Sequence, residues 1–170
     1  DFKNLPDAEA DHPLGEFTGS GVIFGVTGGV TEAAIRRVLA DTSSATMQTI
    51  AECGVRGLDG TKIFEVTAGD MTLRIGVVSG LKNTDQLIAK IKSGALQLDF
   101  VEVMACPNGC IGGGGQPSAT SWTKAQRSAG LFRVDEACEL KLPQDNPSLD
   151  YVYNTLLEGR AHELLHVKYV

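Results

Sequence analysis

Residues 102–117, with the sequence E-V-M-A-C-P-N-G-C-I-G-G-G-G-Q-P, restrict the fold more than any other stretch of the chain. An apolar run over residues 100–105 predicts a buried strand that leads directly to Cys106. A Pro-Asn-Gly turn separates Cys106 from Cys110, and four consecutive glycines follow shortly after. A strand aims thiolates from a fixed element, and residues without a Cβ let the backbone come close to an inorganic cluster. The stretch therefore has the parts that an iron–sulfur site needs.

The composition indicates a globular chain and excludes several classes of partner. A length of 170 residues fits a single domain over residues 1–170, and 42% apolar with 21% charged residues is not typical of disorder. The net charge is −6 and no basic run occurs, so we expect no nucleic-acid partner. The apolar runs are too short for membrane insertion. No signal peptide is visible, but we expect a piece of a longer chain and draw no location from this. Independently of it, we expect a cytoplasmic location, with the periplasm as the alternative.

The chain has four cysteines, and the C-x3-C pair is treated separately from the other two. A domain with its own core does not need disulfides, and C-x3-C spacing is awkward for a structural bridge. We therefore predict that Cys106 and Cys110 are reduced or ligate a metal, and that Cys53 and Cys138 are small buried hydrophobic residues. Because zinc sites and cubane clusters normally need four ligands, two thiolates leave the set incomplete.

Apolar runs followed by glycine-containing loops predict an α/β fold with a small, largely parallel sheet flanked by helices. The predicted strands cover residues 22–26, 62–68, 71–78 and 99–105, of which the middle two form a β-hairpin. Predicted helices begin at Thr31 and at Asn83 or Thr84, and others cover residues 118–128, 135–140, 148–158 and 160–169. Ligands gather beyond the carboxyl ends of parallel strands. We therefore expect the loops at residues 25–29, 79–80 and 106–115 to converge.

Two further motifs each leave alternatives open. The loop G-V-T-G-G at residues 25–29 resembles a phosphate-binding turn, but it lacks the G-x-G-x-x-G pattern and a Walker lysine. It either closes over another ligand or is plain turn geometry.

The second motif, H-E-L-L-H, matches the H-E-x-x-H pattern of zinc metallopeptidases, with His162 and His166 as ligands and Glu163 as general base. A third zinc ligand would have to come from upstream, and no partner motif supplies one. His12, His162 and His166 are available in principle as further ligands for the cysteine pair. We favour the alternative, an amphipathic terminal helix that packs on the sheet through Leu164, Leu165 and Val167.

Residues 102–117 closely resemble the third signature of the iron-only (FeFe) hydrogenases. Residues 21–34, G-V-I-F-G-V-T-G-G-V-T-E-A-A, and residues 159–166, G-R-A-H-E-L-L-H, resemble two other stretches of that family in the same order and spacing. The resemblance covers essentially the whole chain. It implies one lobe of a two-lobed α/β catalytic domain that interconverts dihydrogen with protons and electrons.

The family's cofactor is the H-cluster, a four-iron cubane joined through a cysteine sulfur to a two-iron unit with CO and cyanide ligands. The resemblance implies that Cys106 is a terminal ligand of the cubane and that Cys110 bridges the cubane and the two-iron unit. It also places Met104 and Phe24 in the apolar wall around the two-iron unit, where Gly25 lets the backbone approach. Soft thiolates and a dry pocket agree with iron chemistry.

The family carries its other two cubane cysteines in upstream signatures, and neither T-S-C-C-P nor M-P-C-x-x-K occurs here. We therefore expect the C-terminal half of the large-subunit catalytic domain, which alone neither holds the full H-cluster nor turns over hydrogen. The implied partners are the upstream lobe of the same chain and an electron carrier such as ferredoxin or an NAD(P)-linked subunit. The alternatives are a non-catalytic relative, either an iron–sulfur assembly protein or a hydrogen sensor, and more remotely the zinc hydrolase.

Overall fold

A three-stranded sheet with helices on both faces forms the centre of the computed structural model, which describes residues 2–9, 11, 14, 17–41 and 43–166. The strands are β1 (Thr61–Ala68), β2 (Met71–Ser79) and β3 (Phe100–Met104). The α-helices are α1 (Gly19–Val22), α2 (Gly29–Leu39), α3 (Ser44–Ile50), α4 (Leu81–Lys92), α5 (Ser121–Ala137), α6 (Pro147–Tyr151) and α7 (Ala161–Leu165). Short 3-10 turns cover Phe2–Asn4, Ile23–Gly25, Cys110–Gly112 and Pro143–Asp145, and π-type turns cover Ala51–Val55 and Val152–Leu156. The predicted α/β class, with a small sheet flanked by helices, is confirmed.

The strands lie in the order β1-β2-β3. β1 and β2 are antiparallel and form the predicted hairpin, whose turn uses Gly69 at a φ of +61°. β2 and β3 are parallel and in register up to the pair Ser79 and Met104. Because parallel neighbours end at the same edge of a sheet, the loop after β2 and the loop after β3 leave from adjacent positions.

Two apolar clusters hold the helices on the sheet. On one face, Ile35 of α2, Ile50 of α3 and Val55 pack against inward side chains of β1 and β2 that include Phe64 and Ile75. In the second cluster, Val78 of β2, Leu87 of α4 and Leu96 pack together. The period-2 pattern of β1 therefore supplies one buried face, whereas residues 75–79 of β2 are buried on both faces of the sheet.

The predicted strand at residues 22–26 is wrong, because this segment is helical. The Thr18 hydroxyl accepts a hydrogen bond from the Gly21 N–H and caps α1, which continues into the 3-10 turn Ile23–Gly25. Ile23 and Val26 are buried all the same. A short buried apolar run has no periodicity that separates strand from helix. Without this strand, the sheet has one parallel and one antiparallel pair.

The predicted strand at residues 100–105 is present as β3. The prediction that its apolar side chains are buried is wrong. β3 is an edge strand in the described part of the chain, and Val103 is 51% exposed whereas Glu102 is only 6% exposed. The charged side chain is thus the buried member of β3. Its hydrogen bonds explain this inversion and are described with the candidate site.

The helices after the glycine tract also differ from the prediction. The two predicted helices at residues 118–128 and 135–140 are one continuous helix, α5, which starts at the Thr120 cap. The predicted helix at residues 148–158 is divided into α6 and a π-type turn, and the last one is shortened to α7. Residues 167–170, including Val167, and His12 lie outside the described residues. Across the helices that the structure describes, none has the length and apolar character to cross a lipid bilayer.

Candidate metal centre

The two cysteines of the C-x3-C pair lie on a tight loop at the carboxyl end of β3. The loop closes where the Gly109 N–H donates to the Cys106 carbonyl, at 3.0 Å. Asn108 and Gly109 both have positive φ angles, +68° and +84°, and a 3-10 turn begins at Cys110. Both thiols are free and exposed. The loop therefore presents two potential thiolate ligands at the surface.

Asn108 joins this loop to four other segments. Its N–H donates to Ser79 Oγ at 3.1 Å, and its Nδ2 donates to the Leu58 carbonyl at 2.6 Å. Its carbonyl accepts from the Thr27 N–H at 3.2 Å, and its Oδ1 accepts from Lys124 Nζ at 3.3 Å. The predicted convergence of the loops at residues 25–29, 79–80 and 106–115 is confirmed through these contacts.

Gly109 is the point of closest approach between the cysteine loop and the segment that follows α1. A Cβ on Gly109 would lie 2.9 Å from Met104 Sδ and 3.0 Å from both the Gly25 carbonyl oxygen and the Thr27 nitrogen. Met104 and Gly25, two of the predicted site residues, therefore meet at this point. Phe24 precedes Gly25 in the 3-10 turn and is 45% exposed.

The four consecutive glycines have different roles. A Cβ on Gly112 would collide with the Pro107 carbonyl, so this glycine is required for the loop to close. A Cβ on Gly113 would lie 3.4 Å from the Cys106 sulfur. Added Cβ atoms at Gly114 and Gly115 would meet no atom within 4 Å in the described part of the chain. The tract leaves the backbone bare beside one thiol, which is the arrangement that close approach to an inorganic cluster requires.

Helix α5 supports the loop from outside through a residue that the sequence analysis missed. Arg127 donates from its two terminal nitrogens to the carbonyls of Ile111 and Pro117, both at 2.9 Å. With Lys124, it forms an i, i+3 basic pair on the helix that follows the glycine tract. Basic side chains at that spacing, shortly after a glycine-rich loop, are the sequence signal that could have identified it.

Behind the loop, Glu102 and Lys62 are buried on neighbouring elements. Glu102 accepts hydrogen bonds from the N–H groups of Gly28 and Thr31, at 2.7 and 2.8 Å. Lys62 donates to the carbonyls of Thr27, Val55 and Gly57 at 2.8–3.1 Å. Burial lowers the Lys62 pKa to about 8, although nearby carboxylates oppose the shift.

A second buried charge cluster ties α2 to α5. Arg36 donates to both carboxylate oxygens of Asp135 at 2.7 Å and to Glu32 at 2.6 Å, and Arg56 donates to both oxygens of Glu32. Burial opposes the charge on Arg36, but the bonds to Asp135 and the charge of Glu32 raise its pKa above the ordinary value. Arg56 also lies over the Phe132 ring, 4.1 Å from its centroid. This cluster fixes the helix that carries Arg127 relative to α2.

The two single cysteines are half-buried rather than fully buried as predicted. Cys53 packs against the core cluster beneath α2, and its burial raises the pKa of the thiol. Cys138 follows the C-terminus of α5.

The H-E-x-x-H residues lie on the five-residue helix α7 and at its C-cap, His166. The predicted packing of this helix on the sheet is wrong for Leu164 and Leu165, which are exposed. The rings of His162 and His166 are stacked with centroids 4.6 Å apart, as i, i+4 spacing predicts. Glu163 and both histidines are exposed. Within the described ranges, no cluster of three or more His, Cys, Asp or Glu side chains could hold a metal ion. A zinc site at this position would need a ligand from outside those ranges.

The cysteine pair is also an incomplete set of metal ligands. Two soft thiolates on a glycine-rich loop fit iron, and the bare backbone beside Cys106 fits an inorganic cluster. The described residues supply only this pair, so further ligands to a cluster would come from elsewhere.

Comparison with known proteins agrees with this donor set. Residues 1–114 match the family described as "Iron only hydrogenase large subunit, C-terminal domain". The chain belongs to the iron-only hydrogenase family. Residues 123–170 match a second family of these enzymes, "Iron hydrogenase small subunit". The resemblance drawn from the sequence, to the C-terminal part of the hydrogenase large subunit, is confirmed.

Individual hydrogenases are similar over nearly the whole chain. The NADP-reducing hydrogenase subunit HndD of Solidesulfovibrio fructosivorans is 41% identical over 175 residues, which cover 99% of this chain and 30% of that protein. A solved structure of the [FeFe]-hydrogenase HydA1 from Chlamydomonas reinhardtii superposes with a TM-score of 0.64 at 35% identity, covering 100% of this chain and 51% of that one. The chain therefore spans about 30% of the length of the curated hydrogenase.

The family also contains proteins with another role. Cytosolic iron-sulfur assembly component 3 of Mus musculus is 35% identical over 127 residues, which cover 71% of this chain and 27% of that protein. Membership of the iron-only hydrogenase family is thus compatible with a catalytic or an assembly role.

Proposed function

We propose that this chain supplies two cysteine ligands of an H-cluster, in a hydrogenase that catalyses reversible hydrogen oxidation and proton reduction. The observation that carries the proposal is the meeting of Met104, Gly25 and the loop of Cys106 and Cys110 at one edge of the sheet. Soft, exposed thiols beside a thioether and a bare backbone suit an iron cofactor with a partly apolar surrounding.

The proposed roles follow from position. Cys106 would hold the cubane as a terminal ligand, and Cys110 would be the cysteine shared by the cubane and the two-iron unit. Met104 and Phe24 exclude water from the two-iron unit, and Gly25 allows the backbone close to it. When bound, the H-cluster supplies the redox chemistry that interconverts hydrogen with protons and electrons. Phe24 is half-exposed in this chain and would be covered when the remaining part of the catalytic domain closes the site.

The partners follow from the incomplete ligand set. We propose that a further lobe of the catalytic domain provides the other two cubane cysteines, and that this chain alone holds no complete H-cluster. The electron partner is a ferredoxin or an NAD(P)-linked subunit. The similarity to an NADP-reducing hydrogenase subunit supports the second option. The cytoplasm is the proposed location.

The second candidate function is iron–sulfur cluster assembly, which the 35% identity to the mouse assembly component favours. Both functions use thiolates to bind iron, but only the hydrogenase needs the two-iron unit. The presence of Met104 beside the loop of Cys106 and Cys110 supports the hydrogenase, because this apolar side chain matches the wall that the two-iron unit would need.

The experiment is co-expression of this chain with a hydrogenase segment that carries the T-S-C-C-P and M-P-C-x-x-K signatures, followed by cluster maturation. Cys106→Ser and Cys110→Ser should each lower the iron content and abolish hydrogen evolution, whereas Cys138→Ser should leave both unchanged. Iron binding without hydrogen evolution in the unmodified pair would favour the assembly role. A full complement of cluster iron on the isolated chain would contradict the half-site proposal.

A further inference from the structure

The peptide unit between Thr27 and Gly28 lies between two buried groups of opposite charge. Its carbonyl accepts a hydrogen bond from Lys62 Nζ at 3.1 Å, and its N–H donates to Glu102 Oε1 at 2.7 Å. Both charged side chains are less than a tenth exposed. The positive group thus faces the negative end of the peptide dipole, and the negative group faces the positive end.

Lys62 is held by backbone carbonyls and not by a carboxylate. Besides Thr27, its ammonium donates to the carbonyls of Val55 at 2.8 Å and Gly57 at 2.9 Å. An ammonium has three N–H donors, and this arrangement uses all of them. No salt bridge involves Lys62 among the residues that the structure describes. Its position is therefore specific to these carbonyls.

Glu102 likewise uses both of its carboxylate oxygens in hydrogen bonds. Its second oxygen, Oε2, accepts from the N–H and the hydroxyl of Thr31, both at 2.8 Å. The carboxylate therefore caps the N-terminus of α2, where Gly28 occupies the cap position without a side chain of its own to do so. Charge-assisted hydrogen bonds of this kind are stronger than neutral ones.

The charges also oppose a rotation that the sequence would otherwise permit. Gly28 has a φ of +92°, and glycine populates both halves of conformational space. A flip of the peptide between Thr27 and Gly28 would turn its carbonyl toward Glu102 and its N–H toward Lys62. Both contacts would then be repulsive, so the pair selects one orientation of a peptide that glycine leaves free.

The segment that contains this peptide contacts the cysteine loop directly. The Thr27 N–H donates to the Asn108 carbonyl at 3.2 Å, and the Thr27 nitrogen and the Gly25 carbonyl both approach Gly109. A displaced Thr27 peptide would therefore move Gly25, and with it Phe24, relative to Cys106 and Cys110.

We propose that Lys62 and Glu102 are positioning residues that hold residues 24–27 against the cysteine loop by fixing the two ends of one peptide unit. The effect on the cofactor rests on the proposed function, since it assumes that an H-cluster binds beside these segments. The effect on the polypeptide does not rest on it.

The first experiment measures amide hydrogen exchange in the 170-residue chain. Lys62→Met should accelerate exchange of the Thr27 and Gly28 amides at least tenfold more than exchange of the paired strand amides at Phe64 and Ile75. The matched control, Lys90→Met, removes an exposed lysine of α4 and should change none of these rates. Uniform acceleration of all slow amides in Lys62→Met would overturn the proposal, because it would indicate general loss of stability.

Glu102→Gln acts on the other end of the same peptide and keeps the proposal testable where Lys62→Met does not fold. It should accelerate the same two amides, and unchanged rates there would overturn the proposal as well. The second experiment records the infrared bands of iron-bound CO and cyanide in the complete, cofactor-loaded hydrogenase. Lys62→Met should shift these bands and Lys90→Met should not. Local exchange without a band shift would confirm the positioning of residues 24–27 and refute its role toward the cofactor.

Discussion

Thr31 gives both of its hydrogen-bond donors to one oxygen of Glu102: its N–H and its hydroxyl each lie 2.8 Å from Oε2. The contact joins the first turn of α2 to the middle of β3, two residues before Met104. An anion at a helix N-terminus is stabilised by the unpaired N–H groups and the helix dipole. The strand that leads to the cysteines is therefore fixed to the helix behind it by a single carboxylate.

Glu102→Gln should reduce the free energy of unfolding by roughly 1–3 kcal/mol, because a neutral amide replaces a carboxylate that accepts three buried hydrogen bonds. Urea denaturation measures the change. Thr31→Val is the matched partner variant, since it removes only the hydroxyl and should cost about 1 kcal/mol. Equal stability of Glu102→Gln and the unmodified chain would show that the negative charge contributes nothing.

Gly109→Ala should disturb the cysteine loop. A Cβ there approaches Met104 Sδ, the Gly25 carbonyl and the Thr27 nitrogen at 3.0 Å or less, and the residue has a φ of +84°. We expect a loss of about 1–3 kcal/mol of stability and a lower iron content after maturation. Gly114→Ala is the control, because its added Cβ meets no described atom within 4 Å. Similar iron contents in the two variants would contradict the close-approach argument.

Asp135→Asn should be among the most destabilising single changes. It removes the charge that pairs with the fully buried Arg36 guanidinium through two hydrogen bonds of 2.7 Å. Breaking one partner of a buried ion pair typically costs about 3–5 kcal/mol. The exposed neighbour Glu136 offers the control, since Glu136→Gln should change the free energy of unfolding by less than about 0.5 kcal/mol. Thermal or urea denaturation of both variants tests the difference.

Lys62 should make the stability of the chain depend on alkaline pH. Its pKa is about 8 in the folded chain against an ordinary 10.5, because burial outweighs the charges of Glu102, Asp59 and Glu32 that face it. Between these two values the unfolded chain binds more protons than the folded chain, so the free energy of unfolding should rise with pH across that window. Lys62→Arg stays charged and should lose this rise. Parallel slopes in urea denaturation from pH 7.5 to pH 10 would refute the assignment.

Cysteine reactivity should separate the candidate ligands from the other thiols. Cys106 and Cys110 are exposed, whereas burial raises the pKa of Cys53 and shields it. We expect iodoacetamide to modify the pair at least roughly tenfold faster than Cys53 in the folded chain. Mass spectrometry of tryptic peptides measures each rate. In denaturant the difference should disappear, and faster modification of Cys53 in the folded chain would contradict the described burial.

The parts of the fold that local patterns encode were predictable. Alternating polarity around Gly69 predicts the hairpin of β1 and β2, and the apolar run before Cys106 predicts β3. The common carboxyl edge of β2 and β3 then brings Ser79 to the loop that contains Asn108. These inferences need only chain neighbours and the geometry of parallel strands.

The failed predictions depend on contacts between distant parts of the chain. The run from Val22 to Val26 suits a strand or a buried helix equally, and the Thr18 cap and the packing of α1 against α2 and α5 decide for the helix. Lys62 lies on the inward face of β1 with Phe64, a position where the strand pattern favours an apolar side chain. Only the folded structure shows the carbonyls that accommodate its charge.

Asn108 uses its backbone N–H, its carbonyl and both polar atoms of its side chain in hydrogen bonds to four other segments. The backbone positions of the two cysteines are therefore set by the polypeptide before any metal binds. The conformational entropy of the loop is lost during folding and not during cofactor insertion. The cysteine loop is thus preorganised for metal binding. The free energy of iron binding is not reduced by the entropy cost of ordering this loop.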